Sequence, residues 1–380
     1  MISACKVPSG FIGFVLLATI GCGNGSSGGG TGGGPGSGGV GGSGTSKDAA
    51  VASTGGLGAG GGGTSGTTGG PDGGESVDAG CPVSPTVLAS GQSSPTSIVS
   101  DGANVYWTNT GTVRSVMKVP VTGGAPVAVA TGLRQPGYLA IDATNAYWTD
   151  AASTFPNGTI LMSAPLDGSA AVDGGAPAVL VSSNIALQQF VVAGGNIYYF
   201  NGSTLTVITT AGAAVKTLTP SSTNAVNTTA DAANLYWTNN MQQVLVMPFS
   251  GTTSTVLTTL VAPGDFLGGS QPISVDANGV YVPANPGAGV DAVLSVPLAG
   301  GAPTTVATFA SAYNGVPGIV SDGKNVYWAN NFGFAVMRAP VTGGTAVTIS
   351  CDVEKPEGIA QDATHVYWTT EGGSVKALSK

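Results

Sequence analysis

The residues best suited to chemistry are acids, and six of them recur at one place in a repeat. Asp101, Asp142, Asp231, Asp276, Asp322 and Asp362 each open a variant of Asp-x-x-Asn-apolar-Tyr-Trp-Thr. The amide follows at Asn104, Asn145, Asn234 and Asn325, while Gly279 and His365 replace it in two copies. A seventh copy has Ala193 for the acid and keeps Asn196. A carboxylate and an amide at this spacing can chelate a cation, or they can close a turn. In the turn, Asp accepts hydrogen bonds from the following backbone amides, and Asn or Gly adopts the left-handed conformation. One turn per repeat spreads the carboxylates around a ring instead of gathering them in a cage, so the turn is the reading adopted. Other reactive groups are scarce. The single histidine, His365, lies within the motif, so no Ser-His-Asp set and no histidine-rich metal site can be assembled. No close acid pair suited to glycoside hydrolysis is evident, and no Gly-rich phosphate loop precedes a helix. The expectation is no catalytic set, no metal and no cofactor.

The elements that hold these residues follow from the spacing. The copies centre on Tyr106, Tyr147, Tyr198, Tyr236, Tyr281, Tyr327 and Tyr367, between 38 and 51 residues apart, and all 5 tryptophans sit in them. A period of about 40–45 residues around a strand-forming core indicates a radial β-array. One copy reads as strand 317–321, turn, strand 326–329, loop, strand 335–340, Gly-Gly turn and strand 345–350. Proline recurs where third strands exit, at Pro120, Pro165, Pro297 and Pro340, because it cannot donate to a ladder. Adjacent Tyr and Trp face opposite sheet surfaces, and in a propeller both surfaces meet neighbouring blades. Both rings are therefore expected in the inter-blade core. The chain ends in a third strand, 373–378, without a fourth, and 85–90 matches the fourth strands. The fold expected is all-β: a seven-bladed propeller of four-stranded antiparallel blades, closed by the N-terminal strand completing the last blade.

The ends read differently. Residues 1–21 carry Lys6 and an apolar run of about ten residues, too short to span a bilayer, as in an export signal. Residues 22–81 form a Gly-rich linker without apolar periodicity, expected to stay disordered and to act as a tether of about 40 Å. The propeller occupies 82–380. Charged residues make up 8% of the chain and the pI is about 4.4. Scattered Lys and Arg exclude nucleic acid as a partner, since phosphate binding needs them clustered. Cys81 and Cys351 remain as an even pair for an oxidising compartment, which favours a disulfide. Their places at opposite ends of neighbouring outer strands oppose it, unless 81–85 doubles back. Both outcomes stay open.

Ala146-Tyr147-Trp148-Thr149-Asp150 contains a full YWTD signature, and Tyr106-Trp107-Thr108, Tyr236-Trp237-Thr238 and Tyr367-Trp368-Thr369 carry three of its four residues. The head thus resembles the YWTD propeller repeats of the low-density lipoprotein receptor family. Those receptor propellers have six blades, and their partner-binding residues have no counterparts here. Ala18-Thr19-Ile20-Gly21-Cys22 resembles a bacterial lipoprotein signal, with Thr19 where leucine is usual. That resemblance implies lipidation of Cys22 and export to the cell envelope; the alternative is ordinary secretion with cleavage nearby. Gly23 in place of Asp points to the outer membrane. The whole chain is similar to exported bacterial lipoproteins that carry such a propeller behind a Gly-rich tail. Propeller lyases acting on streptogramin-type antibiotics are also similar in architecture and use histidine with a metal, a role that His365 in its turn does not match.

A ligand site is expected where the repeat lapses, on loops that lead into first strands or follow the Tyr-Trp strands. The candidates are Arg134, Tyr138, Phe155, Asp265, Phe266, Tyr313, Phe332, Phe334, Glu354 and Lys355. The function expected is a membrane-tethered, non-enzymatic binding or scaffold module, monomeric, held to the membrane only by its lipid. It would dock an unknown protein or glycan on this face. The alternative is a propeller enzyme or sugar-binding protein with a carboxylate or metal site in the central channel, built on Asp265, Glu354 and a third acid. A purely structural envelope component is the third reading.

Overall fold

The structure is a computed structural model, and it describes residues 83–152, 158–172, 176–184, 187, 189–220, 225–260, 272–287, 290–310, 315–351 and 354–380. Seven sheets of four antiparallel strands make up the fold. Blade 1 runs Pro95–Ser100, Asn104–Asn109, Ser115–Pro120 and Val127–Thr131. Its neighbours repeat that order. The first strands of the blades touch one another in cyclic order, and blade 1 meets blade 7, so they form a closed inner ring. The seventh sheet consists of Pro356–Gln361, His365–Thr370 and Val375–Ser379, with Thr86–Ala89 as its outer strand. In that last pair Thr86 lies opposite Ala377 and Ala89 opposite Val375. Among the described residues, Ser169–Val172 is the one α-helical segment, and no helix is long and apolar enough to cross a membrane.

The Tyr-Trp pair packs as period-2 alternation demands. All five tryptophans are 0% exposed. Tyr147 packs with residues of blade 3, whereas Trp148 packs with blade 1. Tyr236 likewise faces blade 5 and Trp237 faces blade 3. Each motif therefore fills two seams.

The other letters of the motif have equally definite roles. Asp142 Oδ1 accepts the backbone amides of Thr144 and Asn145, both at 2.8 Å, and its Oδ2 accepts the Tyr147 hydroxyl at 2.6 Å. The same fork joins Asp101 to Tyr106, Asp231 to Tyr236 and Asp362 to Tyr367 at 2.8, 2.7 and 2.5 Å. Burial opposes ionisation of Asp142, Asp231 and Asp362, but the tyrosine hydroxyl and the turn amides outweigh it and hold these carboxyls below the ordinary Asp value. Threonine joins adjacent inner strands. Two residues of the first strand, Thr96 and Ser97, bulge opposite Thr108, whose hydroxyl accepts the Ser97 amide at 3.2 Å and donates to the Gly137 carbonyl of blade 2 at 3.2 Å. Thr369 repeats this between blades 7 and 1, donating to the Thr96 carbonyl at 2.8 Å. At the outer end, the turn glycine of one blade meets the preceding blade. The Gly344 amide donates to Val306 O at 2.9 Å, and Gly168, at φ +86°, leaves only 2.8 Å between a Cβ and Ala128 O. A side chain there meets both a forbidden φ and a backbone oxygen.

Lys380, the last residue of the sequence, spans blades 6 and 7. Its ammonium bonds to Gln361 Oε1 and to Asp362 O, lies 3.3 Å from Asp322 Oδ2 and sits 5.6 Å from the centre of the Tyr327 ring.

Candidate functional site

The loops into the inner strands and the turns between second and third strands share one end of the ring. Several expected site residues hold this face together. Buried Asp150 accepts the backbone amides of Arg134 and Gln135 at 3.1 and 2.5 Å, which fastens that loop to blade 2. The Tyr138 amide donates to Thr149 Oγ1 at 3.1 Å, and the Tyr138 ring packs on the seam between blades 2 and 3. Glu354 Oε2 accepts the Thr370 hydroxyl at 2.5 Å, and the rest of that carboxyl lies over Gly372, where a Cβ has no room. Phe155, Asp265, Phe266 and Tyr313 lie outside the described residues, as do Cys22 and Cys81. Cys351 is disulfide-bonded, and its partner also lies outside them.

Arg134 is exposed, and two aromatic candidates are as well. Phe332 is 51% and Phe334 43% exposed, both in the turn after the second strand of blade 6. Phe334 adopts φ 50°, in the region that favours glycine. The corresponding residues of blades 4 and 7, also two before the valine of the third strand, are Gln242 at φ 59° and Gly373 at φ 93°. A phenylalanine here bears backbone strain of about 1–3 kcal/mol while leaving much of its ring in water.

The neighbouring turns of blade 7 carry charge. Lys355 Nζ lies 3.3 Å from Glu371 Oε2, and the Glu371 amide donates to Lys355 O at 2.9 Å. Next to them is Glu357, which sequence reasoning passed over. Burial, with Glu371 adding to it, pushes its carboxyl up to about 7. The register holds the missed signal. Glu357 stands two residues before Ile359, which pairs with Trp368. The matching positions before Ile98, Leu139, Thr228 and Ile319 hold Thr96, Gly137, Val226 and Pro317, none of them charged. Because the folded value lies above the ordinary 4.5, the native state holds an extra proton between pH 4.5 and 7. Stability from this group is thus lost as pH rises through that window. Glu357→Gln is expected to stabilise the protein by about 2–3 kcal/mol at pH 8 and to have no effect below pH 4.5, read from denaturant unfolding at both pH values.

Chemically, the face offers two exposed aromatic rings beside a mixed-charge patch. Among the described residues no three of His, Cys, Asp and Glu come together to hold a metal.

No protein-family model and no curated protein matches the chain. Solved structures do resemble it. A catalytically inactive histidine variant of virginiamycin B lyase from Staphylococcus aureus, with quinupristin, has a TM-score of 0.57 at 14% identity, covering 78% of this chain and 98% of that one. The computationally designed Ika8 protein has a TM-score of 0.52 at 10% identity, covering 77% and 98%. BamB from Moraxella catarrhalis has a TM-score of 0.48 at 10% identity, covering 75% and 84%. At these identities the likeness to the first two establishes a common fold and nothing further.

Proposed function

We propose that this protein is a lipid-anchored, non-enzymatic binding propeller of the cell envelope, of the YWTD repeat type. It docks a protein or glycan partner on the loop face of blades 6 and 7. The observation that carries the reading is Phe334: a ring left 43% exposed on a backbone at φ 50°. The fold gains little from placing a phenylalanine there, and strain retained at an exposed residue is a mark of function. Phe332 beside it doubles the apolar contact, and aromatic anchors dominate binding energy at interfaces. The lipoprotein-like signal ending at Cys22 and the Gly-rich tether give such a head its reach.

A second reading places a carboxylate site at the inner ring. Glu357 favours it, as a partly buried acid with its pKa pushed up to about 7.

The test is capture from envelope extract on the immobilised full-length chain, wild type against Phe332→Ala/Phe334→Ala. A stoichiometric partner is expected on the wild type, with at least a 30-fold loss of affinity in the double variant and an unchanged melting temperature. Equal capture by both proteins would remove the partner from this face. Capture of nothing by either would leave the carboxylate reading ahead.

A further inference from the structure

The seam between blades 5 and 6 contains a buried acid that the repeat does not explain. Asp291 is the second residue of Val290–Val296, the third strand of blade 5. It is 1% exposed, and neither carboxylate oxygen has a hydrogen-bond partner. Blades 4, 6 and 7 place turn residues at this point: Gln242, Phe334 and Gly373 each stand two before the valine that matches Val293. Blade 5 differs because its strands Val280–Gly287, Val290–Val296 and Thr304–Ala310 run further towards the loop face.

Alternation sets the direction of the carboxylate. Asp291 shares a sheet face with Val293, which packs in one cluster with Phe309 and Trp328. Phe309 lies directly opposite Asp291 in register, and its ring is 5.2 Å from that of Trp328. The indole Nε1 of Trp328, 0% exposed, is also unpartnered, as is Asn331 Oδ1 in the adjoining turn of blade 6. That turn is tied to blade 5 by the bond from Asn330 Nδ2 to Ala310 O at 3.4 Å, next to Phe309. The seam thus holds two unsatisfied carboxylate oxygens and one unsatisfied N–H, with a third unsatisfied oxygen in the turn that borders it.

We propose that this seam binds a hard divalent cation of the calcium class, with Asp291 as its charged ligand. An ionised carboxylate buried without a counter-charge costs several kcal/mol, and among the described residues neither oxygen of Asp291 has a hydrogen-bond partner. The orphaned side-chain acceptors are oxygens, which suit calcium, whereas zinc prefers imidazole and thiolate. The Trp328 N–H cannot ligate a metal, but it can donate to water held by one. With a single carboxylate, the remaining ligands are amide and main-chain oxygens and water. That donor set puts the affinity in the weaker calcium range, Kd about 10⁻⁴–10⁻³ M. A cation bound there adds a further side-chain link between blade 5 and blade 6, beside the bond from Ser321 Oγ to Asp276 Oδ2.

The experiment is thermal unfolding of the full-length chain in 10 mM CaCl2, in 10 mM MgCl2 and in EDTA, for wild type and Asp291→Asn. Wild type is expected to gain about 3–6 °C in calcium and less in magnesium. Asp291→Asn is expected to lose that gain. Equilibrium dialysis of the wild type against calcium, read by elemental analysis, should give one ion per chain. Two results would overturn the proposal: no calcium shift with no bound ion, or a shift that survives in Asp291→Asn. If Asp291→Asn does not fold, dialysis of the wild type decides alone.

Discussion

Trp107→Ala is expected to destabilise the propeller by about 3–5 kcal/mol, lowering the melting temperature by roughly 6–20 °C. Trp107 is 0% exposed, and its indole fills the joint between blade 1 and blade 7. Its Nε1 donates to Asn109 Oδ1 at 3.2 Å and to Gln92 Oε1 at 3.3 Å. Alanine leaves a large cavity and strips the donor from buried Asn109 Oδ1, while Gln92 Oε1 keeps its bond from Asn109 Nδ2. The blades are rigid sheets, so the seam has little freedom to collapse, and the cost should lie in the upper part of the range. Trp107→Phe keeps most of the volume and should cost about 1–2 kcal/mol. Denaturant unfolding of both variants separates the contributions. Equal effects from the two substitutions would mean that the lost hydrogen bonds, and not the cavity, dominate.

Removal of the outer strand of blade 7 has the other large effect. A chain that starts at Gly91 lacks Thr86–Ala89, the hydrogen-bonded partner of Val375–Ser379. It also lacks Leu88 and Ala89, both buried in the largest core cluster. The deletion bares one full edge of a sheet whose own residues Val375, Ala377 and Leu378 are buried. Such an edge is a template for pairing with other chains. The truncated protein is therefore expected to elute as oligomers or aggregate and to melt at least 10 °C below the intact chain. A monomer with an unchanged melting temperature would show that the ring closes without this strand.

The turn carboxylates give both experiments a pH control. Asp142, Asp231 and Asp362 are held below their ordinary value, so their contribution is complete above about pH 4 and is lost as pH falls further. Glu357 acts with the opposite sign between pH 4.5 and 7. The summed contribution of these four groups should therefore peak near pH 4.5.

The scaffold was legible from the chain because its signals are local. An Asp that caps two amides within three residues needs no tertiary contact, as the 2.8 Å bonds of Asp142 to Thr144 and Asn145 show. Strand alternation alone sends Tyr147 and Trp148 to opposite faces. The second bond of each Asp, to the tyrosine five residues on, was not legible, because it depends on how the hairpin brings the hydroxyl back over the turn. Glu354 read as an outward acid, yet it is engaged by Thr370 from the next turn. Glu357 was marked only by its charge at a register position that is uncharged in four other blades, and Asp291 carried no local signal. What sets them apart is burial by residues remote in the chain, and desolvation is a property of the assembled seam.

The sequence by itself determined the repeat, the number of blades and the role of its turns, since period-2 alternation and turn chemistry act over a few residues. Only the tertiary structure decided which polar groups are left without partners and which rings stay in water. Those outcomes depend on what the neighbouring blade presents, some 40 residues away, where the motif has no influence.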